Sequence, residues 1–376
     1  MMSEPKALYV HIPFCSSICT YCDFYKLVAK RERKEKYVEH LVKEGELKKE
    51  SFSALETIYI GGGTPTALPL NLLDYLLTNL KRLIDLGNIE EYSIEANPND
   101  ITPELALVLK EGGVNRISLG VQSFDQEKLK ILGRKHSEDD VRKALVILRD
   151  LGFKNINVDL IYGLQDDSFP KVKKDLKKAI AMGATHISAY SLILEEKTIL
   201  KKLHAEGKFN RLDDDLEAEL YKKISAYLKR RGFLHYEISN FARKNFQSKH
   251  NLTYWNNMNY MGIGAGASYY LGNTRYTNIT NIDKYCESIA SGRPAYKEVT
   301  VLSSEDRMQE EMILGLRKTE GISLTEFKAK YGIDCFQAFP VIRNLINLQL
   351  LEAKHDRLYI PEEKLYLSNE VLVNFI

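Results

Sequence analysis

Short runs of β-branched and aromatic residues alternate with helical patterns through the first half of the chain. Six such runs precede residue 195, and they read LYVHIP, TIYIGGG, YSIEANP, RISLGVQS, NINVDLIYG and HISAYSLIL. The segments between them, such as LNLLDYLLTNLKRLIDLG, place apolar residues three and four positions apart, which is typical of amphipathic helices. Because strands that alternate with helices indicate a parallel sheet, the pattern predicts an α/β fold.

Residues capable of chemistry follow the carboxyl ends of these predicted strands. They are Cys15 after the first strand, Thr64 after the second, Glu95 and Gln122 at the ends of the third and fourth, and Asp159 within the fifth. A β/α barrel collects its functional residues at that end of its strands. We therefore predict an incomplete (β/α)6 barrel over residues 1–212.

The pattern changes after residue 212. A long helix is predicted from DDDLEAELYKKISAYLKRRGF, and an aromatic, asparagine-rich stretch follows it, so we assign residues 213–299 to a connecting region. Such a region could cover the barrel mouth. Residues 300–376 contain capped helical patterns and the segment DRLYIPEEKLYLSN, which predicts a hairpin. This succession predicts a small, mostly helical, winged-helix-like C-terminal domain.

Composition and charge narrow the functional classes. The chain has 376 residues, 44% of them hydrophobic, and a net charge of +2 with both signs interspersed. Neither a basic field nor a basic recognition helix points to nucleic acid. No apolar run is long enough to cross a bilayer, and MMSEPKALYV lacks a secretory signal. Three clustered and two isolated cysteines fit a reducing compartment, so we expect a cytoplasmic protein.

Three cysteines form the most informative motif. Cys15, Cys19 and Cys22 have the spacing C-x3-C-x2-C directly after the first predicted strand. Structural zinc sites close with four protein ligands, and iron-sulfur sites usually use four cysteines. Three thiolates on one short loop therefore leave one metal valence open for another molecule. The alternatives are zinc with a distant fourth ligand or chance cysteines.

A glycine run and several polar residues complete the candidate site. Gly61, Gly62 and Gly63 end the second predicted strand, where they indicate close approach of a ligand, with a tight turn as the alternative. Glu95 can accept hydrogen bonds from ribose hydroxyls or an ammonium group. Asp159 lies in an otherwise apolar strand and needs a partner, for which we expect Arg134 or a ligand, with a structural ion pair as the alternative.

The motifs LYVHIPFC, GGGTP, IEANP, RISLGVQS, LGRKH and DLIYGL occur in this order, and nearly the full chain resembles the oxygen-independent coproporphyrinogen III oxidases and their relatives in the radical S-adenosylmethionine (SAM) superfamily. The resemblance implies that Cys15, Cys19 and Cys22 bind a 4Fe-4S cluster whose open iron is chelated by SAM. It also implies SAM contacts, which fall on two sets of positions. The residues at positions that contact a first SAM are Tyr9, Gly62 and Glu95. The residues at positions that face a second SAM or another occupant are Tyr21, Gly63, Thr64, Gln122, Arg134 and Asp159.

Two departures separate this chain from the oxidases. Their motif continues as C-x2-C-x-C, whereas Cys22 is followed by Asp23 and Phe24, which puts porphyrinogen decarboxylation in doubt. The segment HNLTYW, which begins at His250, resembles the HNxxYW motif of the HemW-type haem chaperones. Histidine is a common axial ligand of haem iron, and aromatic rings suit a macrocycle. A packed, hydrogen-bonded core histidine is the alternative for His250.

Three hypotheses follow. The first is a haem chaperone that carries a 4Fe-4S cluster, SAM and haem, with apo-haemoproteins as recipients, an electron donor for the cluster and no assigned catalytic residue. The second is an oxygen-independent coproporphyrinogen III oxidase of porphyrin biosynthesis, and the third is a zinc-stabilised barrel without radical chemistry. A homodimer is one of the open alternatives for the oligomeric state.

Overall fold

The computed structural model describes residues 4–376, and its centre is a curved sheet of parallel strands. The parallel strands of the first half are β1 (Ala7–Ile12), β2 (Thr57–Gly62), β3 (Glu91–Ala96), β4 (Arg116–Gln122), β5 (Asn155–Tyr162) and β6 (His186–Ser191). They pair in sequence order, with Tyr9 opposite Tyr59 and Ser118 opposite Asn157. The predicted incomplete barrel of β/α units is confirmed.

The sheet continues beyond these strands on both edges. The additional strands are β7 (Leu234–Glu237), β8 (Asn240–Ala242), β9 (Tyr260–Ile263), β10 (Ser268–Leu271), β11 (Thr274–Asn278) and β12 (Tyr296–Val301). Strand β9 pairs parallel to β1 and leads into the antiparallel β10 to β12, whereas β8 and β7 extend the β6 edge. The segment that we assigned to a connecting region thus contributes strands to the barrel sheet itself.

Helices cover the outer face of the sheet and build the C-terminal part of the chain. The α-helices are α1 (Arg31–Lys48), α2 (Leu70–Leu83), α3 (Pro103–Glu111), α4 (Gln126–Ile131), α5 (Glu138–Asp150), α6 (Phe169–Ala181), α7 (Ile199–Ala205), α8 (Asp214–Arg230), α9 (Lys249–Trp255), α10 (Ile282–Ala290), α11 (Ser304–Gly315), α12 (Leu324–Tyr331), α13 (Cys335–Ala338), α14 (Val341–Asn347) and α15 (Ser368–Leu372). Short 3₁₀ helices lie at Lys49–Phe52, Pro65–Ala67, Leu86–Asn88, Pro98–Asp100, Glu362–Leu367 and Val373–Phe375.

Local sequence explains where these helices begin and which face they bury. Ser137 and Asp140 form a reciprocal capping box at the start of α5, which satisfies backbone N–H groups that a helix leaves free. Helix α2 buries Leu72, Leu73 and Leu76 against the sheet, as its apolar spacing predicts. Along the strands, alternate residues point to opposite faces, so odd positions of β5 face the barrel interior.

The C-terminal part combines helices with a small sheet. Strands β13 (Ile322–Ser323), β14 (Glu352–Lys354) and β15 (Arg357–Tyr359) form an antiparallel sheet in the order β13-β15-β14. The winged-helix-like arrangement agrees with the prediction, but the hairpin lies earlier than predicted. Its second strand is β15, and the following residues form a 3₁₀ helix because Pro361 begins that turn. Within residues 4–376, no helix is both long enough and apolar enough to span a bilayer.

Candidate cofactor site in the barrel

A cavity of about 630 Å³ occupies the barrel interior, and its upper wall carries most of the predicted site residues. The predicted residues that line it are Cys15, Cys19, Tyr21, Cys22, Gly62, Gly63, Thr64, Glu95, Gln122, Arg134 and Asp159. These residues come from the loop after β1, from strands β2 to β5 and the turn after β2, and, for Arg134, from the segment between α4 and α5. Inward positions alternate along each strand. The structure therefore brings together the site that the strand ends predict.

The cysteine loop is held in place by backbone hydrogen bonds. The Cys15 N–H donates to the Leu27 carbonyl at 3.0 Å, and Leu27 N–H donates to Pro13 at 2.8 Å, so the loop closes on itself. Thr20 ties its centre to the segment after α4, because its hydroxyl donates to the Ile131 carbonyl at 2.7 Å. These contacts hold three thiol-bearing residues at one edge of the cavity.

The three thiols match the protein ligand set of a four-iron cluster with one open iron. Among residues 4–376, no three His, Cys, Asp or Glu side chains converge to hold one metal ion. A four-iron cluster takes one thiolate on each protein-bound iron, so its cysteines need not meet at a point. Burial raises the pKa of the Cys15 thiol to about 11 and also raises the pKa of Cys22. Metal ligation deprotonates such thiols outright.

The glycine run has a packing explanation. A Cβ on Gly61 would lie 2.7 Å from a Tyr59 ring atom, one on Gly62 would lie 2.4 Å from His11, and one on Gly63 would lie 2.7 Å from the Phe14 carbonyl oxygen. Neighbouring protein atoms therefore require all these glycines, although Gly62 and Gly63 also line the cavity. Close packing against β1, β2 and β3 is thus one reason for the run, and the approach of a ligand to Gly62 and Gly63 stays a prediction.

Glu95 is a half-buried carboxyl group that accepts two hydrogen bonds. Tyr59 donates its hydroxyl to Oε1 at 2.8 Å, and the Gly62 N–H donates to Oε2 at 3.1 Å. Burial outweighs these hydrogen bonds and raises the pKa of Glu95 to about 7. Near neutral pH the group can thus be either a hydrogen-bond donor or an acceptor toward a ligand.

Gln122 and Arg134 line the cavity next to Glu95, because β4 is the strand paired with β3. Gln122 ends β4 with φ of 65°, a left-handed conformation that is uncommon outside glycine and often marks a functional position. Arg134 donates to Asn97 Oδ1 at 2.7 Å, to the Gly120 carbonyl at 2.5 Å and to Cys19 Sγ at 3.6 Å. Its guanidinium therefore connects the cysteine loop to β4.

Asp159 does not pair with Arg134, which corrects the expectation. Its carboxylate accepts from Asn157 Nδ2 at 2.7 Å and from Ser118 Oγ at 3.1 Å. Burial raises the pKa of Asp159 because these neutral donors offset only part of the desolvation. A half-buried acceptor that lines the cavity is well suited to hydroxyl or ammonium donors of a ligand.

His250 lies at the opposite end of the barrel from the cysteines. Its Nδ1 is 2.8 Å from the Thr57 hydroxyl, its Nε2 is 2.7 Å from the Tyr254 hydroxyl, and 1% of the residue is exposed. Thr57 begins β2, whereas Gly62 ends it at the mouth roughly 17 Å away. Of the two alternatives, the structure places His250 as a packed, hydrogen-bonded core histidine that lines neither interior cavity.

A second cavity of about 460 Å³ adjoins the first and shares Gly62, Glu95 and Phe24 with it. Tyr9 lines only this second cavity, together with Tyr254 of the HNLTYW segment. The Tyr9 hydroxyl lies 2.8 Å from His11 Nδ1. Tyr9 thus shares the second cavity with Gly62 and Glu95, the other two residues of the set predicted to contact the first SAM, and it lies apart from the cysteines and from the second set.

Sequence reasoning missed Arg116 and Asn251, which line the lower part of the barrel cavity. Arg116 begins β4, and it shares the inward parity of Ser118 and Gln122. The alternation of side chains along RISLGVQ therefore predicts that Arg116 faces the barrel interior. Asn251 belongs to the HNLTYW motif, but nothing in that motif predicts that it faces the cavity, because α9 reaches the barrel only through long-range packing beneath the sheet.

Together the fold and the three-thiol cavity define a radical SAM barrel. The Radical SAM superfamily model matches residues 9–179, and the model of the HemN C-terminal domain matches residues 302–367. Coproporphyrinogen III oxidase (HemN) from Escherichia coli, which is a radical SAM enzyme, superposes with a TM-score of 0.85 over 99% of this chain and 90% of that one. Their sequences are 21% identical, so this likeness concerns the fold alone.

The sequence relatives specify the family within that class. The chain is 39% identical over 377 residues to the heme chaperone HemW of Lactococcus lactis subsp. lactis (strain IL1403), covering 100% of this chain and 98% of that protein. It is 38% identical over 375 residues to the heme chaperone HemW of Bacillus subtilis (strain 168), covering 99% of each. The chain therefore belongs to the heme chaperone HemW family.

Proposed function

We propose that this protein binds haem and transfers it to apo-haemoproteins in the cytoplasm, and that its barrel carries a 4Fe-4S cluster and SAM. The observation that carries the proposal is the end-to-end match to curated heme chaperones. The cavity supports it, because three thiols and a set of buried polar groups line one wall.

Cys15, Cys19 and Cys22 would hold the cluster. Gly62, Gly63, Thr64, Glu95, Gln122, Arg134 and Asp159 would hold SAM, and Tyr21 lines the same cavity. The cluster and SAM together would supply reductive cleavage of SAM, which consumes an electron, so an electron donor is part of the proposal. Glu95 and Asp159 would accept hydrogen bonds from ligand hydroxyls, and Arg134 would bind a carboxylate. Tyr9 would reach a ligand only through the adjoining cavity.

The position of Phe24 weighs against the oxidase alternative. Phe24 occupies the place of the additional cysteine in the oxidase motif, and 69% of it is exposed at the junction of the two cavities. A phenyl ring supplies no ligand or acid at that place. Anaerobic incubation of the reconstituted protein with coproporphyrinogen III, SAM and a reductant is expected to yield no protoporphyrinogen IX.

A haemin titration tests the proposal directly. The purified protein is expected to bind haemin with a saturable change in absorbance and to pass it to an apo-haemoprotein such as apomyoglobin. The His250→Ala variant is expected to keep the spectrum of the bound haem, because both ring nitrogens of His250 already have partners. Absence of haemin binding by the folded wild-type protein defeats the proposal.

A further inference from the structure

Arg116 is a buried cation without adequate partners. It is 2% exposed, it lines the barrel cavity, and its Nε makes no hydrogen bond with any residue in the described range 4–376. Its ion pair with Glu91 places Oε2 of that carboxylate 3.8 Å from Nε, beyond hydrogen-bond distance. Because a guanidinium offers five N–H donors, a buried one that faces a cavity indicates a ligand with acceptor oxygens.

Glu91 cannot satisfy Arg116, because its oxygens are engaged elsewhere. They accept from Ser248 Oγ at 3.1 Å, from the Lys249 N–H at 3.0 Å and from the His250 N–H at 3.1 Å. These contacts cap α9 and hold the HNLTYW segment beneath the barrel. The Glu91 carboxylate therefore anchors a helix, and the Arg116 donors remain available.

Neutral polar side chains line the same cavity as the guanidinium. Ser118, Asn157, Ser188 and Asn251 line the cavity with it. Asn157 and Ser118 are bound to Asp159, whose carboxylate shares this space and partly balances the charge of Arg116. Asn251 brings an amide from the helix below. The closed end of the cavity is thus a polar patch that holds one cation.

We propose that Arg116 and Asn251 form a carboxylate-binding subsite at the closed end of the barrel cavity, where they bind a carboxylate side chain of the tetrapyrrole. This inference rests on the proposed haem function, and it orients the bound haem with a propionate group toward Arg116. Haem carries two propionate groups, and Arg binds carboxylates with paired hydrogen bonds. Strand β4 separates Arg116 from Gln122 at the mouth by roughly 20 Å, which leaves length for a macrocycle between them.

The methionyl carboxylate of SAM presents the same chemistry, so the experiment must separate the two sources. Haemin and haemin dimethyl ester are titrated into the wild-type protein and the variants Arg116→Gln, Asn251→Leu and Arg243→Gln, and SAM affinity is measured for each. Arg243 is the matched control, since it stacks on Phe233 outside both cavities. Circular dichroism verifies folding.

The wild-type protein is expected to prefer haemin over its ester by about tenfold or more, as a charged hydrogen-bonded pair requires. Arg116→Gln is expected to lose this preference and keep its SAM affinity. Asn251→Leu is expected to reduce the preference, and Arg243→Gln is expected to retain it.

Equal binding of haemin and ester by the wild-type protein overturns the subsite while leaving haem transport intact. Loss of SAM affinity in Arg116→Gln with the preference unchanged assigns the carboxylate to SAM and also overturns the inference. If Arg116→Gln does not fold, the wild-type and Asn251→Leu comparisons decide. No binding of either tetrapyrrole defeats the proposed function itself.

Discussion

The imidazole of His250 stacks on the phenol ring of Tyr59 with 5.1 Å between the ring centroids. The hydroxyl of the same Tyr59 donates to Glu95, so one side chain spans from the HNLTYW segment to the cofactor wall. His250 is therefore a positioning residue beneath the cavity. We infer that the HNLTYW segment stabilises the closed end of the barrel through the contacts of His250 with Thr57 and Tyr59.

His250 should make stability depend on pH in the acidic range. Burial lowers the pKa of His250 to about 3 in the folded protein, whereas an unfolded histidine titrates near 6.5. The unfolded chain thus binds the proton first, and stability falls as pH falls through this window, by about 1.4 kcal/mol per pH unit for one group. Urea unfolding between pH 7.5 and 4.5 should show a shallower decline for His250→Gln than for the wild type.

The exposed His355 provides the control for that experiment. His355→Gln is expected to run parallel to the wild-type pH profile, because an exposed side chain has no burial cost to lose. His250→Gln should be less stable at pH 7.5, since the core loses the ring that stacks on Tyr59. Identical slopes for wild type and His250→Gln contradict the assignment of a buried neutral imidazole.

Gly62→Ala tests the packing explanation of the glycine run. Gly62 has φ of 116°, and its added Cβ would lie 2.4 Å from His11 Cε1. We expect a loss of about 3 kcal/mol in the free energy of unfolding, from backbone strain and overpacking combined. Gly207→Ala is the control, because Gly207 has φ of 69° with nothing within 4 Å of the added Cβ. That variant should lose about 1–2 kcal/mol, and equal losses in urea unfolding would argue against the clash with His11.

Cysteine substitutions test the cluster site. Cys15→Ser, Cys19→Ser and Cys22→Ser should each abolish the iron-sulfur absorbance of anaerobically reconstituted protein, since three thiolates leave no spare ligand. Cys286→Ser is the matched control, because Cys286 is buried away from the cavity in α10. It should retain the wild-type iron content. A colourless, zinc-bound wild-type protein would instead support the zinc-stabilised barrel.

The barrel and the upper wall of its cavity could be predicted because both follow from short-range pattern. Strand parity and βα alternation place Glu95, Gln122 and Asp159 at one end of parallel strands. The partners of Asp159 could not be predicted, because Ser118 and Asn157 meet it only through the register of β4 and β5. The burial of His250 depends on Glu91, which lies far from it in the chain.

The strands β10 and β11 were missed although their signal was present. They form a hairpin joined by Gly272 and Asn273, and Gly272 has φ of 65°. A two-residue turn of Gly and Asn between aromatic runs is a recognised hairpin signature. The surrounding asparagines and glycines obscured it, because they are depleted in strands.

Asp159→Asn separates the effect of the Asp159 carboxylate on stability from its effect on SAM binding. Burial raises the pKa of Asp159, so the folded state holds its proton more tightly than the unfolded state, and stability falls as pH rises above the unfolded pKa. Without SAM, Asp159→Asn should therefore gain about 1 kcal/mol at pH 8 relative to the wild type, and the gain should shrink toward pH 4. Its SAM affinity should fall about tenfold, since the amide is a weaker acceptor for hydroxyl or ammonium donors. The exposed Asp74 supplies the control, because Asp74→Asn changes the same charge outside the barrel. If the carboxylate is retained for a ligand, Asp159→Asn gains stability and loses SAM affinity. A variant that instead loses stability and keeps its SAM affinity would show that Asp159 serves the structure of the barrel.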